Sequence, residues 1–386
     1  MSAPAAPLLE HLERALPTML ADLEALVRCE SPTGDRAATN RCADVLAAIG
    51  GRLLGTFPER LDHGGEVQLR WRFGRGDRVL LLGHLDTVWP IGTLERLPFT
   101  VVDGRITGPG CFDMKAGLVQ MLHALAALDD TGLDGVTVLV TSDEEVGSPA
   151  SHALIQDEAR RSRAALVLEA SADGALKTAR KGAGSHRLHV LGRAAHAGLE
   201  PERGANAAVE LAHQILAIVR LADPERGTTV TPSVIRGGDT VNTVPGSAEV
   251  AVDVRAFSVE EQRRVAAGLA ALRPRLDGTS LRVDSGPESP PLPPSASSAL
   301  FARAEQAAAR LGLAPLQGVA VGGGSDGNRT AAVGTPTLDG LGAVGGGAHA
   351  DDEHVLADAM PRRAALLAEL VADLLEARPS LRLLGS

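Results

Sequence analysis

Val79-Leu80-Leu81-Leu82-Gly83-His84-Leu85-Asp86-Thr87-Val88 is the stretch that decides the fold expected of this chain. Its aliphatic run predicts a buried strand, and the strand ends in a histidine and a carboxylate. In an extended backbone residues i and i+2 share a face, so His84 and Asp86 can be neighbours while Leu85 turns inward. A histidine that binds a metal through one ring nitrogen usually gives its other N–H to a carboxylate, which fixes its tautomer. By itself, His-x-Asp is only a polar start to a loop, and further ligands are needed.

Two more apolar runs end in the same way. Residues 136–140 lead into Thr141-Ser142-Asp143-Glu144-Glu145-Val146-Gly147, and Leu166-Val167-Leu168 leads into Glu169. Taken singly, three acids after a strand are a solvated loop. In open α/β sheets, however, ligands bind beyond the carboxyl ends of the strands, and three separate buried strands here carry His, Asp or Glu at that end. Between them lies Gly108-Pro109-Gly110-Cys111-Phe112-Asp113-Met114-Lys115-Ala116-Gly117, opening into a helix over 116–128. Its spacing matches neither the Walker nor the dinucleotide pattern, and an aspartate in the loop would repel phosphate. Late in the chain, Gly345-Gly346-Gly347-Ala348-His349-Ala350-Asp351-Asp352-Glu353 adds a second histidine in a glycine-rich loop.

The 386 residues exceed what one core usually organises, and the 44% hydrophobic content suffices for two domains. A net charge of −10 argues against nucleic acid or an anionic membrane as partner. Met1-Ser2-Ala3-Pro4-Ala5-Ala6-Pro7 lacks a charged region followed by an apolar core, and no stretch approaches the ~20 apolar residues of a membrane span. A cytoplasmic location is therefore expected. Cys29, Cys42 and Cys111 are odd in number and have no Cys-x-x-Cys spacing, which excludes a disulfide framework and a thiolate zinc site. Any metal must use His, Asp and Glu.

Upstream, leucines at 8, 9, 12 and 16 and the apolar set over 19–27 recur at helical spacing; a third helix is expected to about Ile49, and a half-buried strand over 67–73. From about Lys181 the texture changes to strands near 186–190, 228–235, 248–255 and a short one at 281–283, with helices over 206–221 and 259–272. Ser289-Pro290-Pro291-Leu292-Pro293-Pro294 reads as the linker out of this insert. A helix over 296–311, the loop Gly322-Gly323-Gly324-Ser325-Asp326-Gly327, a strand over 336–341 and a last helix over 361–376 follow. The expected class is α/β: a discontinuous domain of residues 1–180 and 295–386 with a mixed, mostly parallel sheet flanked by helices, and an inserted α+β domain of residues 181–294.

His84, Asp113, Glu144, Glu145, Glu169 and His349 together suit zinc, or less specifically cobalt or manganese, and are too nitrogen-rich for a calcium or magnesium cage. In order and spacing, six pieces resemble the co-catalytic zinc peptidase family of glutamate carboxypeptidases, aminoacylases and succinyl-diaminopimelate desuccinylases. They are His84-Leu85-Asp86-Thr87-Val88, Gly108-Pro109-Gly110 through Asp113-Met114-Lys115, Asp143-Glu144-Glu145-Val146-Gly147, Glu169, Gly192-Arg193-Ala194-Ala195-His196-Ala197-Gly198 and Gly347-Ala348-His349. The likeness covers nearly the whole chain. Trp89-Pro90 and Gly322-Gly323-Gly324-Ser325-Asp326 place it nearest the glutamate carboxypeptidase branch.

The resemblance implies two Zn2+ per subunit, with Asp113 bridging them, His84 and Glu169 completing one and Glu145 and His349 the other. It implies Asp86 as the support of His84, Glu144 as general base and a cis peptide after Asp113. The insert becomes a lid and dimerisation domain whose His196 reaches a partner subunit's site and stabilises the oxyanion. Arg255 with Asn242 would hold the substrate's carboxylate, and Lys177 would face the substrate. The implied reaction is hydrolysis, by a homodimer, of the amide bond to a C-terminal amino acid in a small peptide or N-acyl amino acid. One departure stands out: Gly286-Pro287-Glu288-Ser289-Pro290 holds no arginine where that branch commonly has one, so selectivity for glutamate is in doubt. A narrow N-acyl-amino-acid deacylase or dipeptidase would use the same site. A non-catalytic binding or assembly protein on this fold would have lost the base or a ligand, and every one is present.

Overall fold

Val79–His84 lies inside a six-stranded sheet, and all of its residues are buried. The computed structural model, which describes residues 6–128 and 133–376, orders that sheet Glu59–His63, Glu66–Arg72, Val136–Thr141, Val79–His84, Ala164–Val167, Thr337–Leu338. The last four strands are parallel and the first two form an antiparallel edge. Parallel strands covered on both faces need continuous apolar sequence. Accordingly Leu81, Val138 and Leu166 share one core with the helices Leu16–Arg28, Arg36–Leu54, Ala116–Ala126 and Ala359–Leu374. Leu80, Leu82, Leu139 and Val167 point the other way, onto Leu154, Ile155 and Ala159 of the helix His152–Arg161.

From Val79–His84 the chain crosses to Val136–Thr141 on one side and then to Ala164–Val167 on the other. Strand order therefore reverses beside His84, which opens a crevice beyond the carboxyl ends. Packing there is tight. A Cβ on Gly117 of the helix Ala116–Ala126 would stand 2.2 Å from the Leu168 carbonyl oxygen, and one on Gly342 would stand 2.1 Å from the same atom. The peptide that precedes Glu169 is thus clasped between two glycines.

The chain divides into two compact units, one reaching Ala179 and resuming over Pro294–Ala320 and from Ser325, the other Arg180–Pro293 with Val321–Gly324. In the second, an antiparallel sheet runs in the order Thr229–Gly237, Ser247–Ala256, Gly182–Leu191, Ser280–Ser289. Ala207–Ile218 and Val259–Ala270 pack on one face, against Val250, Val252 and Val254, while Glu249, Asp253 and Arg255 take the alternate positions.

Several elements differ from expectation. The short strand at 281–283 is part of Ser280–Ser289, because a register shift between Ser285 and Glu288 absorbs Gly286-Pro287 and an edge strand tolerates a residue with no N–H. The stretch without an arginine is therefore strand, and the helix Pro294–Arg310 starts soon after it. The expected loop at 322–327 ends in a helix, Asp326–Ala332, which Ser325 starts with a capping box. The strand expected over 336–341 is only Thr337–Leu338, since the chain turns away at Gly340 with φ 75°. No helix among the described residues is long and apolar enough to cross a membrane.

Gly117→Ala should destabilise the protein by ~1–3 kcal/mol, the usual range for forcing an atom into a filled core. Urea unfolding measures this. An unchanged midpoint would mean that the helix can move off Leu168 at no cost.

Candidate metal centre

His84 is the last residue of its strand, and its Nδ1 lies 3.0 Å from the main-chain oxygen of Asp86. A carbonyl can only accept, so Nδ1 carries a hydrogen and Nε2 is the ring nitrogen that faces the crevice, where burial would lower the imidazole's pKa but the carboxylates of Asp113, Asp86 and Glu169 raise it well above its ordinary value. The Asp86 carboxylate, 3.5 Å from the ring, is engaged elsewhere. It accepts the N–H groups of Glu144 (3.3 Å) and Glu145 (3.2 Å) and the hydroxyl of Thr33 (2.7 Å). Asp86 thus fixes the ring with its backbone and the Glu144-Glu145 turn with its side chain.

Around that nitrogen the strand ends converge. His84 Nε2 is 3.3 Å from Asp113 Oδ1 and 3.3 Å from Glu169 Oε1. His349 Nε2 is 3.4 Å from Asp113 Oδ2 and 3.2 Å from Glu145 Oε2. Asp113 therefore turns one oxygen to each imidazole. Glu144 Oε2 stands 4.0 Å from His84 Nε2. Single ligand atoms of His84, Glu144 and Glu169 lie within 4.8 Å of one another, and so do those of His84, Asp113 and Glu145. The Asp113–Met114 peptide is cis.

Buried polar atoms ordinarily find partners. His84 Nε2, Asp113 Oδ1 and Glu145 Oε1 are buried and have no hydrogen-bond partner among the described residues. A divalent cation would satisfy such atoms, and imidazole nitrogens with carboxylate oxygens are the donor set that zinc-like metals take. The residues present fit a metal.

Crowding shapes the charges. Burial pushes Glu145 up to about 7, with Asp113 and Asp86 adding to the effect against the two imidazoles. Burial also holds Glu144 well above the usual carboxylate range, reinforced by Glu169, Asp326 and Asp113 and opposed by His84. Burial would raise Asp113 as well, but the imidazoles of His349 and His84 on its two oxygens keep it below its ordinary value. The Asp113 carboxylate in turn raises His349 to about 9.

Two further carboxylates matter here. Asp143 is the one of three consecutive acids that turns away from the crevice, onto the N–H groups of Ala150 and Ser151 and the Ser151 hydroxyl. Glu353 is buried and takes four N–H donors: Trp89 Nε1 (2.7 Å) and Gly110 (2.9 Å) on Oε2, Phe112 (2.8 Å) and Asp113 (3.1 Å) on Oε1. Sequence alone gives no reason to single it out beyond its place four residues after His349.

The remaining expected residues are Lys177, His196, Asn242 and Arg255. Lys177, on Leu176–Arg180, is near enough to help hold Asp113 ionised. His196, Asn242 and Arg255 belong to the second unit. His196 is exposed on the ribbon Ala195–His196, and its Nδ1 accepts the N–H groups of Gly198 and Leu199, both at 3.1 Å. Its Nε2 must then carry the hydrogen and is available as a donor. Asn242 is exposed, and its main-chain oxygen accepts the N–H of Ala197. Arg255 is half-exposed, with Nε held by both carboxylate oxygens of Asp253 at 3.0–3.1 Å.

A profile of peptidase family M20/M25/M40 matches residues 80–373. Carboxypeptidase G2 of Pseudomonas sp. (strain RS-16) is 30% identical over 379 residues, covering 93% of this chain and 89% of that protein. Among solved structures, aminopeptidase PepT from Bacillus cereus ATCC 10987 superposes with a TM-score of 0.72 at 19% identity, over 93% of this chain and 99% of that one. The M20 family metallo-carboxypeptidase Sso-CP2 from Sulfolobus solfataricus superposes with a TM-score of 0.69 at 16% identity, over 92% and 98%.

Ligation requires an unprotonated imidazole, whereas the metal-free His349 keeps its proton up to about pH 9. Adding metal at pH 7.5 should therefore release more protons from the wild type than from His349→Ala, and that difference should fade as the pH passes 9. Calorimetric titration of both proteins in two buffers of different ionisation enthalpy measures it. Equal release by the two proteins would remove His349 from the candidate ligands.

Proposed function

The chain belongs to peptidase family M20/M25/M40, and on that premise we propose that it is a dizinc hydrolase that removes the C-terminal amino acid from small peptides or N-acyl amino acids. The observation that carries this is Asp113 with one oxygen toward each of two imidazoles, the disposition of a carboxylate that bridges two cations. His84 and Glu169 would complete one zinc site, Glu145 and His349 the other, with cobalt or manganese as workable substitutes. Two such ions would lower the pKa of a shared water and polarise the scissile carbonyl.

The protein's own groups do the rest. Glu144, with Oε2 4.0 Å from His84 Nε2, is the nearby carboxylate given no ligand role in this reading, and it would take a proton from the water and return it to the leaving amine. His196, with its Nε2–H pointing outward, would donate to the developing oxyanion in the site of a partner copy, which makes the working unit a homodimer. Arg255, oriented by Asp253, would take the substrate's free carboxylate together with Asn242, and Lys177 would face the substrate. With no basic residue over 286–290, a preference for glutamate is not part of the proposal.

Glu144→Gln keeps shape and removes basicity. It should give a folded, metal-loaded protein slowed ~10²–10⁴-fold, the usual share of a general base. Mixing it with His196→Ala subunits should return part of the activity, because one site of each heterodimer keeps both groups. Wild-type-like turnover by Glu144→Gln, or no recovery when subunits exchange, would contradict these roles.

A second expectation concerns the substrate. Amidating its C-terminal carboxylate and making Arg255→Ala should lower kcat/KM by similar factors, and the two changes together should add little, since each removes the same ion pair. Equal turnover of amidated and free substrates would exclude the assignment.

A further inference from the structure

Glu353 joins pieces of the metal centre that are far apart in sequence. Its own N–H donates to Ala350, and the N–H of Ala350 donates to Gly347, so its backbone closes the turn that bears His349. Its carboxylate is 2% exposed and reaches into the Asp113 loop, with Gly110 and Trp89 on one oxygen and Phe112 and Asp113 on the other. An ionised carboxylate offers about four acceptor directions, and four donors use them. A carboxamide in its place would set an NH2 group against donors.

We propose that Glu353 is a positioning residue that presets the bridging carboxylate: it ties the Asp113 loop to the His349 turn, and through Trp89 to the segment after Asp86, so that protein hydrogen bonds set the spacing of the cation ligands. None of these four bonds needs a cation. The inference rests on the proposed ligand roles of Asp113 and His349. Satisfying buried amides would by itself explain the bonds as structural, so the test must read the metal and the loop as well as the fold.

Cobalt uptake by metal-free wild type and Glu353→Gln separates the cases. The variant should unfold cooperatively, bind cobalt ~10–100-fold more weakly, as loss of a partner behind a ligand does, and show an altered visible absorption spectrum. A folded Glu353→Gln protein with wild-type cobalt affinity and spectrum would overturn the inference while leaving the dizinc reading intact. A wild type that takes up no cobalt would remove both. Should Glu353→Gln fail to fold, residue-resolved hydrogen exchange on metal-free wild type decides. The amides of Gly110, Phe112 and Asp113 should be protected as strongly without metal as with it; fast exchange that slows only on loading would show that the cation, and not Glu353, orders the loop.

Discussion

Mutual repulsion among carboxylates is the constraint to which the rest of the catalytic unit answers. Asp86, Asp113, Glu144, Glu145 and Glu169 gather at the ends of three parallel strands with two imidazoles between them. Two like charges 4 Å apart cost about 4 kcal/mol at an effective dielectric of 20. The fold offsets this in separate ways. Asp86 is spent on main-chain N–H groups and a hydroxyl, and Asp113 is flanked by both histidines. Among the described residues His84 Nε2, Asp113 Oδ1 and Glu145 Oε1 stay buried without a hydrogen-bond partner, an arrangement that a divalent cation would resolve.

Much of this was legible because parallel strands buried on both faces leave a plain mark. Runs such as Val79-Leu80-Leu81-Leu82 are too short for a buried helix, and the polar residues that end such parallel strands lie at one edge of the sheet. What escaped had no apolar period to reveal it. The helix Asp326–Ala332, with the sequence DGNRTAA, is held by a capping box and by Asp326, which is buried with Ser148 and Thr141. Gly286-Pro287 reads as a strand breaker, and only the pairing with Gly182–Leu191 shows that it is a bulge. Glu353 is one acid in a run of three, and its role depends on four donors whose positions no local pattern encodes.

The second unit shows the same economy with a different residue set. Alternation along Ser247–Ala256 sends valines to the helices and leaves Glu249, Asp253 and Arg255 in a row on the other face. Each cation there is matched by an acid: Arg187 by Glu249, Arg255 by Asp253, Arg282 by Asp284. Such pairs add little stability at partial exposure. For Arg255 the effect is orientation, since its guanidinium is held at Nε by both oxygens of Asp253.

The bonds from Glu353 to the Asp113 loop span 240 to 243 residues of sequence. During synthesis the loop and Asp113 emerge early, whereas the carboxylate that accepts the loop's N–H groups leaves the ribosome only after the whole of Arg180–Pro293. Domains tend to fold as they emerge, N-terminal parts first. For this chain the order is inverted at the point that matters: Arg180–Pro293, which makes up nearly all of the second unit, emerges before the unit that contains the candidate metal centre is complete. A ribosome stalled before residue 349 would therefore carry an unfinished centre, with three loop amides unpaired and a histidine still missing.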